Sequence, residues 1–331
     1  MTRGSAWEGL YRPLSTNLYY LIGGRVFDHS LTIYHSLNVV LFVANGLLAY
    51  AIARRFVGPV AALLCAAIFV SRQASSELLV YTVHMQSLLP AFLSLAAVST
   101  WIAAVRRDYA MRYVAVAALL VVLALLAKEA SVVVCLMFAL VSAAHPRMPI
   151  GRDRWLRRSL LVLPAAATIG WYLWAREYLA IGSNRWWTYE HSPWEIIRNY
   201  VAYTVSFSNA VMSPYELTDP VIMLQHFPLV IAARNSVPLC VVFCLVVGSV
   251  PLAIGYLALT DGRGATQARV AGAAIGVGIF VLALAPVSVM HDHVLSYYGY
   301  LGHFGLSLLL ACAVEALLAR TRFWRRCQTT T

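Results

Sequence analysis

From Leu31 to Ala53 the chain carries no Asp, Glu, Lys or Arg, and runs of the same kind recur almost to its end. Backbone placed in lipid must satisfy its own N–H and C=O groups, so such runs fold as helices. About 20 apolar residues cross a hydrocarbon core at 1.5 Å per residue. We read spans at 31–53, 56–72, 79–105, 110–127, 130–146, 157–178, 237–260, 269–290 and 296–319. The expected fold is an all-α polytopic membrane protein of about nine transmembrane helices, with short juxtamembrane helices on one face. Composition agrees: 61% of residues are hydrophobic and 12% charged, where a soluble domain carries about a quarter charged. Residues 1–331 are expected as one transmembrane domain, with 1–30 an outer-face loop and 179–236 a long outer-face loop.

The net charge of +11 does not point to nucleic acid. Most arginines sit in short loops between the apolar runs, at 54–55, 106–112, 147–158, 263–269 and 320–326. That pattern sets membrane orientation, with the basic loops in the cytoplasm. It also decides how residues 110–146 cross. Arg106, Arg107 and Arg112 precede the stretch, and Arg147, Arg152 and Arg154 follow it. Two crossings keep both basic flanks on one side, and the turn between them, Lys128-Glu129, faces outward. Carboxylates go the other way: Glu8, Asp28, Glu77, Glu129, Glu177, Glu190, Glu195, Glu216, Asp219 and Asp292 all fall on or near the outer face. Nine spans with a cytoplasmic C-terminus put residues 1–30 outside. They contain no signal peptide, and the expectation is that they are the second half of an outer loop whose preceding helix is missing. The six cysteines read as buried structural thiols.

Chemistry, on this topology, belongs to the outer face. Lys128 is the only lysine of the chain, and an ionisable group beside the bilayer is costly enough to suggest a task. It suits a phosphate as a point charge; it also suits a snorkelling side chain that closes a turn with Glu129. Tyr11 and Arg12 precede the first span, where Arg12 offers a fork for phosphate or carboxylate or an interfacial anchor. His35, Asn38 and Asn45 within that span read as helix–helix hydrogen bonds. Glu77, Tyr81 and His84 share a helical face, fit for acid–base work, a metal or simple packing. His291, Asp292 and His293 lie in the last outer turn, just ahead of Tyr298, and are candidates for a divalent metal or a phosphate. Pro193–Phe207, rich in aromatic residues, is expected to lie along the interface.

Taken in order, these segments resemble a family. "YRPLS" ahead of a membrane helix, "HSLNVVLF" within it, "SSELLVYTVHMQSLL" two helices on, "LALLAKEASVVV" between short helices and "YYGYLGHFGLSLLLA" near the end resemble the GT-C superfamily of polytopic glycosyltransferases. They are most similar to bacterial dolichyl-phosphate-mannose-type protein mannosyltransferases and to the membrane half of tetratricopeptide-bearing O-mannosyltransferases. The resemblance implies a sugar donor on a polyprenyl phosphate, used on the periplasmic face of a bacterial inner membrane, and a protein, lipid or glycan acceptor. It implies that Lys128 neutralises the phosphate leaving group, with Arg12 and Arg185 as further phosphate ligands. The family's catalytic carboxylate lies upstream of "YRPL", where this chain has only Glu8, and Ser76-Glu77-Leu78 replaces its His-Thr-Glu pattern. Glu77 and Asp292 are then the candidate catalytic carboxylates, supported by Tyr11, His84, Glu129, His291, His293 and Tyr298. Two other classes stay open: a carrier or flippase for a lipid or anionic solute, and a non-catalytic membrane scaffold.

Overall fold

A computed structural model describes residues 14–15, 19–26, 28, 30–72, 85–143, 170, 192–207, 236–238, 241, 264–288 and 299–318. Among them there is no strand. The helices are α1 (Tyr19–Val26), α2 (Leu31–Ala53), α3 (Pro59–Val70), α4 (Met85–Arg106), α5 (Met111–Ala127), α6 (Val133–Ala143), α7 (Pro193–Phe207), α8 (Gly264–Ser288) and α9 (Tyr300–Leu318), with a 3-10 turn at Glu129–Val132. Four stretches are long and apolar enough to cross a membrane: Leu31–Ala53, Met85–Arg106, Gln267–Ala285 and Tyr300–Leu318. By length and composition this is an all-α membrane protein. Three further helices, Pro59–Val70, Met111–Ala127 and the Ala130–Ser142 stretch, are apolar but shorter. The expected spans 157–178 and, for the most part, 237–260 lie outside the described residues.

Helix contacts run from α4 to α2, α3, α9, α8 and α6 and return to α4, closing a ring, while α5 packs on the outside of α4. The ring is held by apolar side chains with few polar pins. Trp101 of α4 stacks on Phe138 of α6 at 4.8 Å, and its indole N–H donates to the Phe138 carbonyl at 2.9 Å. Phe69 of α3 lies 4.7 Å from the Tyr300 ring of α9 and 5.8 Å, edge-on, from Phe304. Cys65 and Cys312 are buried free thiols on these same two helices, as expected.

The chain reverses at Lys128. The start of α4 comes to this point through Ser87, while Trp101, near the other end of α4, bonds to Phe138 and to Ser142 near the end of α6. So α5 runs back along α4 and α6 returns, as the flanking arginines require. The reversal is looser than a packed hairpin: α5 and α6 each pack on α4 far more than on each other. At the end remote from Lys128, Arg106 Nη2 donates to the Arg55 carbonyl at 2.9 Å, and Arg107 lies 4.5 Å above the Tyr113 ring. Glu315 is buried there, 3.6 Å from Arg269 Nε, and accepts the Gly58 N–H at 2.5 Å. A carboxylate at the start of α3 matches that helix's positive end.

Helix α7 docks on the half of α8 nearest Lys128. Asn199 Nδ2 donates to the Ser288 carbonyl at 2.7 Å and the Tyr200 hydroxyl to the Val281 carbonyl at 2.7 Å. Tyr203, fully buried, packs with Phe280 and Leu284. This segment is a helix, as its composition indicated.

The α8–α9 seam is backbone against backbone. A methyl added at Gly276 would sit 2.7 Å from the Gly305 carbonyl oxygen, and one at Gly305 would sit 2.6 Å from the Phe280 nitrogen. Small residues let membrane helices approach this closely. Gly302 differs, because an added methyl there meets only the Leu284 side chain, at 3.1 Å. Gly305→Ala is therefore expected to cost about 1–3 kcal/mol, and Gly302→Ala clearly less because Leu284 can change rotamer. Thermal unfolding in detergent, followed by circular dichroism, checks this; equal midpoints for the two variants would contradict the seam.

Candidate functional site

The site grows from the break between α5 and α6. α5 is apolar throughout and rich in Ala and Leu up to Ala127. Lys128 then turns extended, with φ −160° and ψ 131°. A helix that ends in an apolar bundle must dispose of its last carbonyls. Here the Lys128 N–H returns to the Ala124 carbonyl at 2.8 Å, and the Ser131 N–H caps the Lys128 carbonyl at 3.0 Å. The Ala127 carbonyl receives the Ser15 hydroxyl at 2.5 Å. Ser15 is fully buried, and Leu14 beside it packs against Leu93, Ala124 and Ala127. The end of "YRPLS" is thus fastened to the "LLAKE" junction, two segments over a hundred residues apart in sequence.

Lys128 is 9% exposed, and its Nζ lies 3.5 Å from Ser87 Oγ, the outer limit of a hydrogen bond. An ionisable group at the end of an apolar helix is costly to bury, so its placement needs a return. Lys128 lines a small open cleft of about 50 Å³. Ser87 and Ser94 line the cleft from α4, Ser131 from the 3-10 turn and Tyr300 from α9, with Pro90 and Ala283 among the apolar wall. Ser87, Pro90, Ala91 and Ser94 follow helical spacing, so one face of α4 forms that wall. Pro90 has no N–H for the helix ladder, which loosens α4 beside the cleft. The positive ammonium also lies at the C-terminal end of α5, where the helix dipole favours it. Chemically this is one cation and four hydroxyls around a small opening, groups able to hydrogen-bond an oxyanion.

Of the residues singled out from sequence, Lys128 lies in this cleft and Glu129 opens the 3-10 turn next to it. Tyr11, Arg12, Glu77, His84, Arg185, His291, Asp292, His293 and Tyr298 lie outside the described residues. Among the described residues no group of three His, Cys, Asp or Glu gathers as a metal site would; the His291-Asp292-His293 turn is not among them. Asn45, read from sequence as a helix–helix contact, does bridge helices: its Nδ2 donates to the Leu88 carbonyl of α4 at 3.2 Å. Ser87, Ser131 and Tyr300 fall within the segments that carry the resemblance but were given no role from sequence, and Ser94 was passed over.

Ser15→Ala strands the Ala127 carbonyl and is expected to cost about 1–3 kcal/mol locally. Amide exchange over residues 128–132 should accelerate by roughly tenfold or more, while Ser15→Thr keeps the wild-type rate. Comparison of the chain with protein-family models, with curated proteins and with solved structures gave no match.

Proposed function

We propose that this protein is a membrane glycosyltransferase that takes a sugar from a polyprenyl-phosphate donor and passes it to an acceptor hydroxyl on the outer face of a bacterial inner membrane. The observation that carries the reading is the buried Lys128 at a helix break, opening on a hydroxyl-lined cleft to which the end of "YRPLS" is fastened. The resemblance of these two segments to the GT-C superfamily supports it. So does the charge asymmetry: Arg55, Arg106, Arg107 and Arg269 gather at the end of the bundle remote from Lys128, and basic ends face the cytoplasm.

In this reaction the bond between the sugar's anomeric carbon and the phosphate oxygen breaks, and its electron pair stays on the phosphate. The acceptor oxygen bonds to the same carbon and loses its proton to a carboxylate, for which Glu77 and Asp292 are the candidates. Negative charge builds on the leaving phosphate as the bond lengthens. A fixed ammonium therefore interacts more strongly with the transition state than with the bound donor. Ser87 and Ser131 supply neutral donors beside Lys128. The acceptor is any protein, lipid or glycan hydroxyl that reaches the cleft.

A second reading has one observation in its favour. An extended break between two short helices beside a buried charge is also how carriers build a midplane anion site. Lys128→Met separates the readings, since methionine keeps the length of the side chain and removes the buried charge. A transferase should lose about 10²–10³-fold in turnover of a polyprenyl-phosphate-linked sugar, with an unchanged melting temperature and weaker binding of polyprenyl phosphate. Turnover lost with phosphate binding intact would remove Lys128 from the phosphate. Flux of the lipid or anion across proteoliposomes, with no sugar transferred, would favour the carrier; full retention of both would leave a scaffold.

A further inference from the structure

The inner wall of the cleft differs from its Lys128 side. Exposure falls from 9% at Lys128 and 8% at Ser87 to 2% at Tyr300 and 1% at Ser94, and Ser94 lies two helical turns beyond Ser87 along α4. The Ser94 Oγ and the Tyr300 Oη are buried and make no hydrogen bond within the protein, and the same holds for Asn45 Oδ1. The Tyr300 hydroxyl lies toward Asn45, close enough for a weak interaction but outside good hydrogen-bond geometry. Asn45 is held in place by its other end, through Nδ2 to the Leu88 carbonyl. A buried hydroxyl without a partner costs about 1–3 kcal/mol, and in a bilayer-spanning bundle few waters are at hand to cover it. Ser94 and Tyr300 both line the cleft, and their unsatisfied oxygens call for a polar occupant.

Their chemistry selects the occupant. A phosphate only accepts hydrogen bonds, so its natural partners are donors such as the Lys128 ammonium. Ser94 and Tyr300 both donate and accept, and Asn45 Oδ1 only accepts. With the Tyr300 proton turned to Asn45, the Tyr300 oxygen is left to accept. A mixed set of this kind matches groups that themselves donate and accept, that is, hydroxyls. We propose that Ser94 and Tyr300, with Asn45 behind Tyr300, form a subsite for the sugar hydroxyls of the donor, separate from the phosphate subsite at Lys128. The inference rests on the donor reading above and adds the residues that recognise the hexose itself. The phosphate side fixes the carrier; the inner wall reads the sugar.

The test uses the double variant Ser94→Ala/Tyr300→Phe, which removes two oxygens and keeps the Tyr300 ring against Phe69. Binding is measured in nanodiscs for two probes, a C55 polyprenyl phosphate and the same lipid phosphate carrying one hexose. The expected result is unchanged affinity for the bare lipid phosphate, about tenfold or more weaker affinity for the hexosyl form, and an apo melting temperature that does not fall. Unchanged affinity for the hexosyl lipid would overturn the subsite and leave these atoms to bound water. So would a lower apo melting temperature with both affinities reduced alike, which marks the hydroxyls as structural. Failure of the wild-type protein to bind either probe would instead remove the donor reading, and the subsite with it. Lys128→Met serves as the control, since it weakens both probes together.

Discussion

A helix that stops inside an apolar bundle leaves carbonyl oxygens that no water can reach, and the α5–α6 junction is organised around that demand. The Lys128 amide, the Ser131 amide and the Ser15 hydroxyl each take one carbonyl of the junction. Once those bonds are made, Lys128 stands at the negative end of α5 and its side chain has only the cleft to occupy. The cation, the cleft and the fastening of the N-terminal segment are therefore one arrangement.

Charge divides the molecule along its length. The remote end collects arginines that find backbone carbonyls, an aromatic face and a single buried carboxylate, Glu315. The Lys128 end carries the cleft hydroxyls and the Lys128 ammonium, with Arg72 just beyond α3 and the Arg198–Glu195 pair on α7. An anion approaching from the arginine end would find those cations already occupied by the protein's own acceptors. At the cleft the Lys128 ammonium lies beside the Ser87 hydroxyl.

How far the sequence foretold this differs residue by residue. The reversal at Lys128 was legible because a charge rule acts on both flanks: two basic segments cannot lie on opposite sides at low cost. The α7 helix was legible through its aromatic-rich, interface-like composition, and the long spans through their length. The cleft residues were not. A serine in an apolar helix reads as helix–helix adhesion wherever it occurs, and only the packing of α9 on α4 tells Ser94 from Ser307, whose hydroxyl turns back to the His303 carbonyl. Glu315 was hidden for the opposite reason. A lone carboxylate near a basic tail looks like a solvated surface group, yet it is 3% exposed and joins three helices. The glycines of α8 and α9 gave no sign of which would face each other, since that depends on helix rotation. Asn45 was half legible: its bond to α4 matched the expectation, while the approach of Tyr300 to it depends on the fold.

The closed ring has a consequence for the chain as it is being made. α3 is synthesised early, but the helix that covers its inner face, α9, begins about 230 residues later. At about 5–20 residues per second, α3 stands without that neighbour for roughly 10 to 50 seconds. Its inner face is lined by Ala61, Ala62, Cys65, Ala66 and Phe69, side chains that acyl tails solvate as well as protein does, so the wait costs little. The carboxylate that will cap its first turn travels on the last helix to arrive. Nascent α3 is in this sense a lipid-soluble placeholder, and Glu315 is the latch that marks completion of the bundle.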